Sequence, residues 1–218
     1  MRRFMIILMA GVVALGVAGP VSAGANVSNT SGSGQTIYGA WEGDGLSGYL
    51  YLGKEAGYGA FGEIVQDTGA WVVCEGPAPE KGDVVAEDTT PGDEYYGFVG
   101  TRTWGTAEDV TIDISRKFDT GHATGSVELY TSTVDDCNGI YGDPVEAVGS
   151  FDITLSGTGP ISTFRGSSHY KIPDQFSGHD NYRAKERAAT GSVVAGGSID
   201  TTFEGSMSQV TWSAHSKG

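Results

Sequence analysis

The sequence predicts an all-β fold: an antiparallel meander barrel (or β-sandwich) of about ten to twelve strands in a single domain. Three observations carry this. Apolar residues alternate with polar ones, as in Val110-Thr111-Ile112-Asp113-Ile114-Ser115, and do not recur at three and four as in a helix. Turn signals interrupt the alternation roughly every 8–15 residues. Glycine supplies 35 of the 218 residues, too many for long amphipathic helices.

Taken in order, residues 1–23 read as a signal peptide. Arg2 and Arg3 precede an uncharged run from Phe4 to Val17, Gly19-Pro20 breaks it, and Val21-Ser22-Ala23 places small residues at a cleavage site. The run is shorter than the about 20 residues of a membrane span. The expected mature chain starts at Gly24 and is secreted, whether extracellular, periplasmic or held in the cell envelope. Residues 24–36, rich in Gly, Ser, Asn and Thr, read as a flexible tail. The all-β domain is expected over 37–218.

Early strands are expected near 37–42, 47–53, 58–66, 70–75 and 95–104. Gly43-Asp44-Gly45-Leu46-Ser47-Gly48 fits G-x-G-x-x-G, but a strand follows it where a nucleotide site needs a helix, so it reads as a hairpin turn. Gly39-Ala40-Trp41 resembles the opening of lipocalin- and avidin-like barrels. That likeness covers three residues, no later lipocalin motif follows, and no family is assigned. Residues 110–115 read as a hairpin with Val127, Leu129 and Thr131 about the turn Asp119-Thr120-Gly121. Phe151 to Leu155 alternates and ends at Gly157-Thr158-Gly159-Pro160. Residues 182–189 read as a basic strand, followed by Val193-Val194, Ile199 to Phe203 and Val210-Thr211-Trp212.

Ala123-Thr124-Gly125-Ser126-Val127 recurs as Ala189-Thr190-Gly191-Ser192-Val193, each copy after an alternating strand and a basic stretch. The second copy holds an extra segment, roughly 160–181. It reads as a loop or hairpin grafted onto a repeated unit, a common place for function.

Cys74 and Cys137 are the two cysteines, and an oxidising compartment pairs them. Closing a loop of about 60 residues contributes roughly 4 kcal/mol in the chain-entropy model. The formal charge is −14, and losing Arg2 and Arg3 with the leader takes it to −16. That argues against nucleic acid or an anionic membrane as partner, and leaves a glycan or a protein surface. Acidic residues cluster in 75–94, and a second oxygen-rich loop follows Asp135. A disulfide would bring the two together, with Asp93, Glu94, Asp135, Asp136 and Asp143 as candidate Ca²⁺ ligands. Neither loop has calcium-loop spacing, so solvated charge is the competing reading, and no other cofactor is expected.

One region reverses the charge. Residues 165–187 hold five cations against three acids. Arg165, His169, Tyr170, Lys171, His179, Tyr182, Arg183 and Arg187 are the candidate binding residues, suited to an anionic ligand or surface. The competing reading is a surface hairpin whose cations pair with the acidic loops. Tyr49 and Tyr51 share one face of a strand whose other face carries Leu50 and Leu52, and are candidates for stacking on a sugar or a partner. No G-x-S-x-G, C-x-x-C, P-loop or H-E-x-x-H occurs, and no catalytic residue is assigned. The favoured reading is a secreted, non-catalytic binding protein for a glycan, a small apolar ligand or a protein surface. The alternatives are a secreted hydrolase using unrecognised carboxylates or His169 with Asp180, and a structural envelope-associated protein.

Overall fold

The computed structural model describes residues 27–56, 59–75, 95–172 and 176–217. The leader read over 1–23 lies outside them. Among the described residues the regular structure is entirely strand. The elements are β1 (Val27–Gly43), β2 (Leu46–Glu55), β3 (Gly59–Cys74), β4 (Tyr95–Ile114), β5 (Thr120–Asp135), β6 (Ile140–Tyr141), β7 (Val145–Gly157), β8 (Ser162–Ile172), β9 (Phe176–Ala195) and β10 (Ile199–Lys217). Neighbours pair antiparallel in the order β1-β2-β3-β4-β5-β7-β9-β10, and β10 returns to β1. The sheet closes on itself as an eight-stranded barrel, the architecture that leaves a meander no free edge.

Local chemistry sets the turns and the inward parity. Asp44 (φ 53°) and Gly45 (φ 75°) form the two-residue turn between β1 and β2, both in the left-handed region that an Asp-Gly hairpin turn requires. In β4 the inward residues run on odd positions to Ala107 and on even positions from Val110 through Ile112 to Ile114. A bulge between Glu108 and Thr111, with Asp109 at φ 50°, makes the change. It lets one long strand keep both apolar runs inside, where the sequence reads two strands. Likewise the strands expected near 58–66 and 70–75 merge into the single strand β3, and the ten strands of the described residues fall within the ten to twelve expected.

The interior is filled. Ile37, Leu50, Ile64, Leu129, Ile153 and Met207 are fully buried, with Phe151 and Phe203 beside them. At one end the turn after β4 folds Phe118, fully buried and at φ 58°, into the core. Trp41 belongs to the same packed cluster.

Two small sheets project from opposite ends. At the Phe118 end, β9 outruns β7: residues 189–195 pair β7, and Phe176–Glu186 pair β8, which continues the line of β7 after a break at 158–161. β10 follows β9 to its end, and residues 27–33 of β1 pair β10 alone. The result is a four-stranded extension in the order β8-β9-β10-β1. The expected flexible tail is therefore corrected: residues 27–36 are the first half of β1. Their Gly/Ser/Thr sequence has no core pattern, but their backbone groups are met by β10, which hydropathy does not register. The segment expected to be grafted onto the repeat is the hairpin of β8 and early β9. The two repeat copies flank β7, with Ala123 and Val193 both opposite Ile153.

At the far end β3, β4 and β5 project together. Here Cys74 and Cys137 form a disulfide, with Cα atoms 5.2 Å apart and a sequence separation of 63. Buried Asp136 accepts the Phe98 N–H at 2.9 Å and the Tyr141 hydroxyl at 3.0 Å, and Tyr95 donates to the Cys137 carbonyl at 3.1 Å.

Candidate functional site

Strand alternation sorts the extension into two faces. In β9 the odd residues that run into the barrel core are Ala189, Val193 and Ala195, and in β10 they are Ile199, Phe203 and Met207. Followed outward, the same face carries Arg187, Lys185, Arg183, Asn181 and His179 on β9, then Thr211, Ser213 and His215 on β10. From β8 it receives Arg165, Ser167, His169 and Lys171, by direct pairing of Arg165 with Arg183 and His169 with His179. All five cations of 165–187 occupy odd positions, and its described acids, Asp180 and Glu186, occupy even ones. The charge reversal seen along the chain is thus a separation across the sheet.

Two open hollows lie on this face. One, of about 600 Å³, is bordered chiefly by the odd residues Arg165, Ser167, Asn181, Arg183, Thr211 and Ser213, and Gly166, Tyr182 and Trp212 between them also line it. The other, of about 450 Å³, is bordered by His169, Lys171, Ser177, His179 and His215. Among the described residues, Arg165, Lys171, Arg183 and Lys185 form no ion pair. Arg165 and Arg183 stand directly opposite one another, a like-charge pairing that costs a sheet stability.

Arg187 departs from its expected role. Its Nε donates to the Gly159 carbonyl at 3.0 Å, and Nη1 donates to the Phe118 carbonyl at 3.2 Å and to the Asp119 carboxylate at 2.5 Å. It ties the break between β7 and β8 to the turn carrying Phe118, so these bonds serve the fold.

The even face is aromatic: Phe164, Tyr170, Tyr182 and Trp212. Tyr182 lies over Gly166, and Tyr170 over Gly178. A Cβ on either glycine would come within 2.2 Å of the ring, so glycine is what lets the rings lie flat on the sheet. Partial burial first, then the charge of Asp180, raise the Tyr170 phenol above its usual value. Asp180 accepts from Ser168 at 3.4 Å on this face, while His169 meets His179 on the other. The two residues of the supposed His169–Asp180 pair therefore lie on opposite sides of the sheet. The His–carboxylate contact that does form, His122 with Asp152 at 3.3 Å, is exposed on the barrel wall.

Tyr49 and Tyr51 point outward from β2, opposite buried Leu50 and Leu52. Tyr49 donates to Glu63 at 3.1 Å and Tyr51 packs on Phe61 with centroids 5.7 Å apart. Burial first, and for Tyr49 the Glu63 hydrogen bond next, raise both phenols. They line neither hollow. Of the candidate calcium ligands, Asp93 and Glu94 lie outside the described residues. Asp136 is buried in the hydrogen bonds given above, and Asp135 accepts from the Asn138 backbone and side chain at 3.0 and 2.8 Å. Asp143 is exposed. Among the described residues no three His, Cys, Asp or Glu side chains surround one point.

Sequence reasoning counted Lys185 among the five cations of 165–187 without naming it as a binding residue, and missed Asn181, Ser213 and His215 as members of the cationic face. Odd-position counting reaches Lys185 and Asn181. The β10 residues join only through the register of β9 with β10. No protein-family model, no curated protein and no solved structure matches the chain.

Proposed function

We propose that this is an exported, non-catalytic binding protein that captures an acidic glycan, one bearing carboxylates along its chain, on the odd face of the extension. The observation that carries the reading is the set of four cations, Arg165, Lys171, Arg183 and Lys185, held on one face without carboxylate partners in a chain of formal charge −14. A net charge this negative repels polyanions in general, so a cluster of unpaired cations is where one would be drawn. Ser167, Asn181, Thr211 and Ser213 between the cations supply neutral donors and acceptors suited to hydroxyls. From Arg165 to Lys171 the strand rises about 20 Å, room for several sugar units. The packed interior favours a surface site over a ligand inside the barrel, since neither hollow lies within the ring. A leader with signal-peptide layout and a disulfide support export.

The test is calorimetric titration with polygalacturonate, with neutral dextran as control, at two salt concentrations. Polygalacturonate binds, and binds more weakly at higher salt; dextran does not. The Arg165→Ser/Arg183→Ser variant loses about tenfold or more in affinity, or at least 1.4 kcal/mol. Absence of polygalacturonate binding, or binding indifferent to the two substitutions, refutes the reading.

A further inference from the structure

The extension carries a second arrangement that the cations do not explain. His169, His179 and His215 stand opposite one another on β8, β9 and β10, and Asn29 on β1 completes the row. The Nδ1 atoms of His169 and His179 are 3.1 Å apart, with ring centroids 4.1 Å apart, at the edge of the hollow that His215 also borders.

We propose that His169 and His179 form a chelating site for a divalent transition-metal ion of the Zn²⁺, Cu²⁺ or Ni²⁺ class; His215, whose ring does not converge on the pair in the structure, adds a third nitrogen only by turning from Asn29. The spacing supports this. Two metal–nitrogen bonds of about 2.0–2.1 Å at the tetrahedral angle put their nitrogens about 3.3–3.4 Å apart. The observed 3.1 Å requires an angle of about 95–102° at the metal, between octahedral and tetrahedral values. Without metal the pair shares one proton, Nδ1–H of one ring donating to Nδ1 of the other. Chelation moves that proton to Nε2 of the same ring, leaving both Nδ1 lone pairs free for the ion and the net charge of the pair unchanged. Imidazole donors select this class of ion over Ca²⁺ and Mg²⁺. Among the described residues of the hairpin no carboxylate lies on this face, and Lys171 is two residues along. The site's remaining positions are therefore open to water or to an anion. In the structure the His215 Nδ1 is engaged with Asn29 Oδ1, and it joins the ion by leaving that bond. The proposal does not rest on glycan capture.

The test titrates the tag-free protein with Zn²⁺ by calorimetry and with Cu²⁺ by electron paramagnetic resonance, no glycan being present, so that its failure leaves the glycan reading standing. One equivalent of Zn²⁺ binds per chain, and the Cu²⁺ spectrum shows nitrogen couplings from at least two imidazoles. His169→Gln and His179→Gln each abolish binding without changing the thermal midpoint, and His122→Gln on the barrel wall keeps it. His215→Gln weakens binding about tenfold or more. No Zn²⁺ or Cu²⁺ uptake, or uptake that survives the His169→Gln/His179→Gln double variant, overturns the site. An unchanged affinity in His215→Gln overturns the third ligand.

Discussion

Replacing Arg187 with Met separates the structural cation of the extension from the binding ones. The Arg187 side chain is 19% exposed and its guanidinium reaches Gly159, Phe118 and Asp119 from one position. A hydrogen bond from a charged donor contributes about 1.5–3 kcal/mol. Asp119 is 61% exposed, so its ion pair adds about 0–1 kcal/mol. Water recovers part of what the two carbonyls lose, and the expected net loss is about 3 kcal/mol. Met keeps much of the aliphatic stem's packing, so the loss reports the head group. Arg187→Lys recovers little, because one ammonium cannot span both the Gly159 and Phe118 carbonyls as the planar fork does. Arg165→Ser and Arg183→Ser, in contrast, change stability by no more than about 0.5 kcal/mol, and each relieves the facing like charge. The assay is urea unfolding followed by tryptophan fluorescence, comparing midpoints at equal m. A loss below about 1 kcal/mol for Arg187→Met, with polygalacturonate affinity falling as in Arg183→Ser, would refute the structural assignment and return Arg187 to the binding face.

Two further outcomes are expected. Cys74→Ala/Cys137→Ala opens a loop with a sequence separation of 63 and lowers stability by about 4 kcal/mol, with a larger urea m-value because the unfolded chain expands; an unchanged m together with a loss under about 1 kcal/mol contradicts it. The Glu128 carboxylate accepts the Tyr130 hydroxyl, and this bond, ahead of desolvation, pushes the phenol up to about 12. In an ultraviolet titration Tyr130 ionises late, and Glu128→Gln brings it back toward 10.0; no change in the titration excludes the hydrogen bond as the cause.

Much of the barrel was legible because its determinants are local. Period-2 alternation marked β7 and the β4–β5 hairpin, and Asp44-Gly45 names its own turn type. The disulfide followed from cysteine count and expected compartment. The early half of β1 was not legible, because Ser31, Gly32 and Ser33 offer no hydrophobic pattern and are held by β10, almost the whole chain away. The length of β4 was hidden by the bulge at Asp109, which shifts parity and makes one strand look like two. At the site, the sequence located the cationic segment but not its partition into faces. It placed His169 with Asp180 on nearness in sequence, where the pleat sends them to opposite sides. His215 belongs to the row only through a cross-strand register, a non-local fact with no signature in its own neighbourhood.

That register also bears on why the cations remain unpaired. A hairpin whose cations merely balance the acidic loops would place carboxylates within reach of Arg165 and Arg183. Cys74 and Tyr95, the paired residues that bound the acidic segment, lie at the end of the barrel opposite the extension. Within the extension, Asp180 and Glu186 alternate onto the aromatic face, so neighbours in sequence are screened from the cations by the sheet itself. The backbone pairing of β8 with β9 is meanwhile held by features indifferent to charge, including Tyr182 over Gly166 and Tyr170 over Gly178. Among the described residues, neither Arg165 nor Arg183 forms an ion pair that would reward placing them opposite one another. A like-charge pair without a partner in the fold would be relieved by an anion arriving from solution, which is the role proposed for this face.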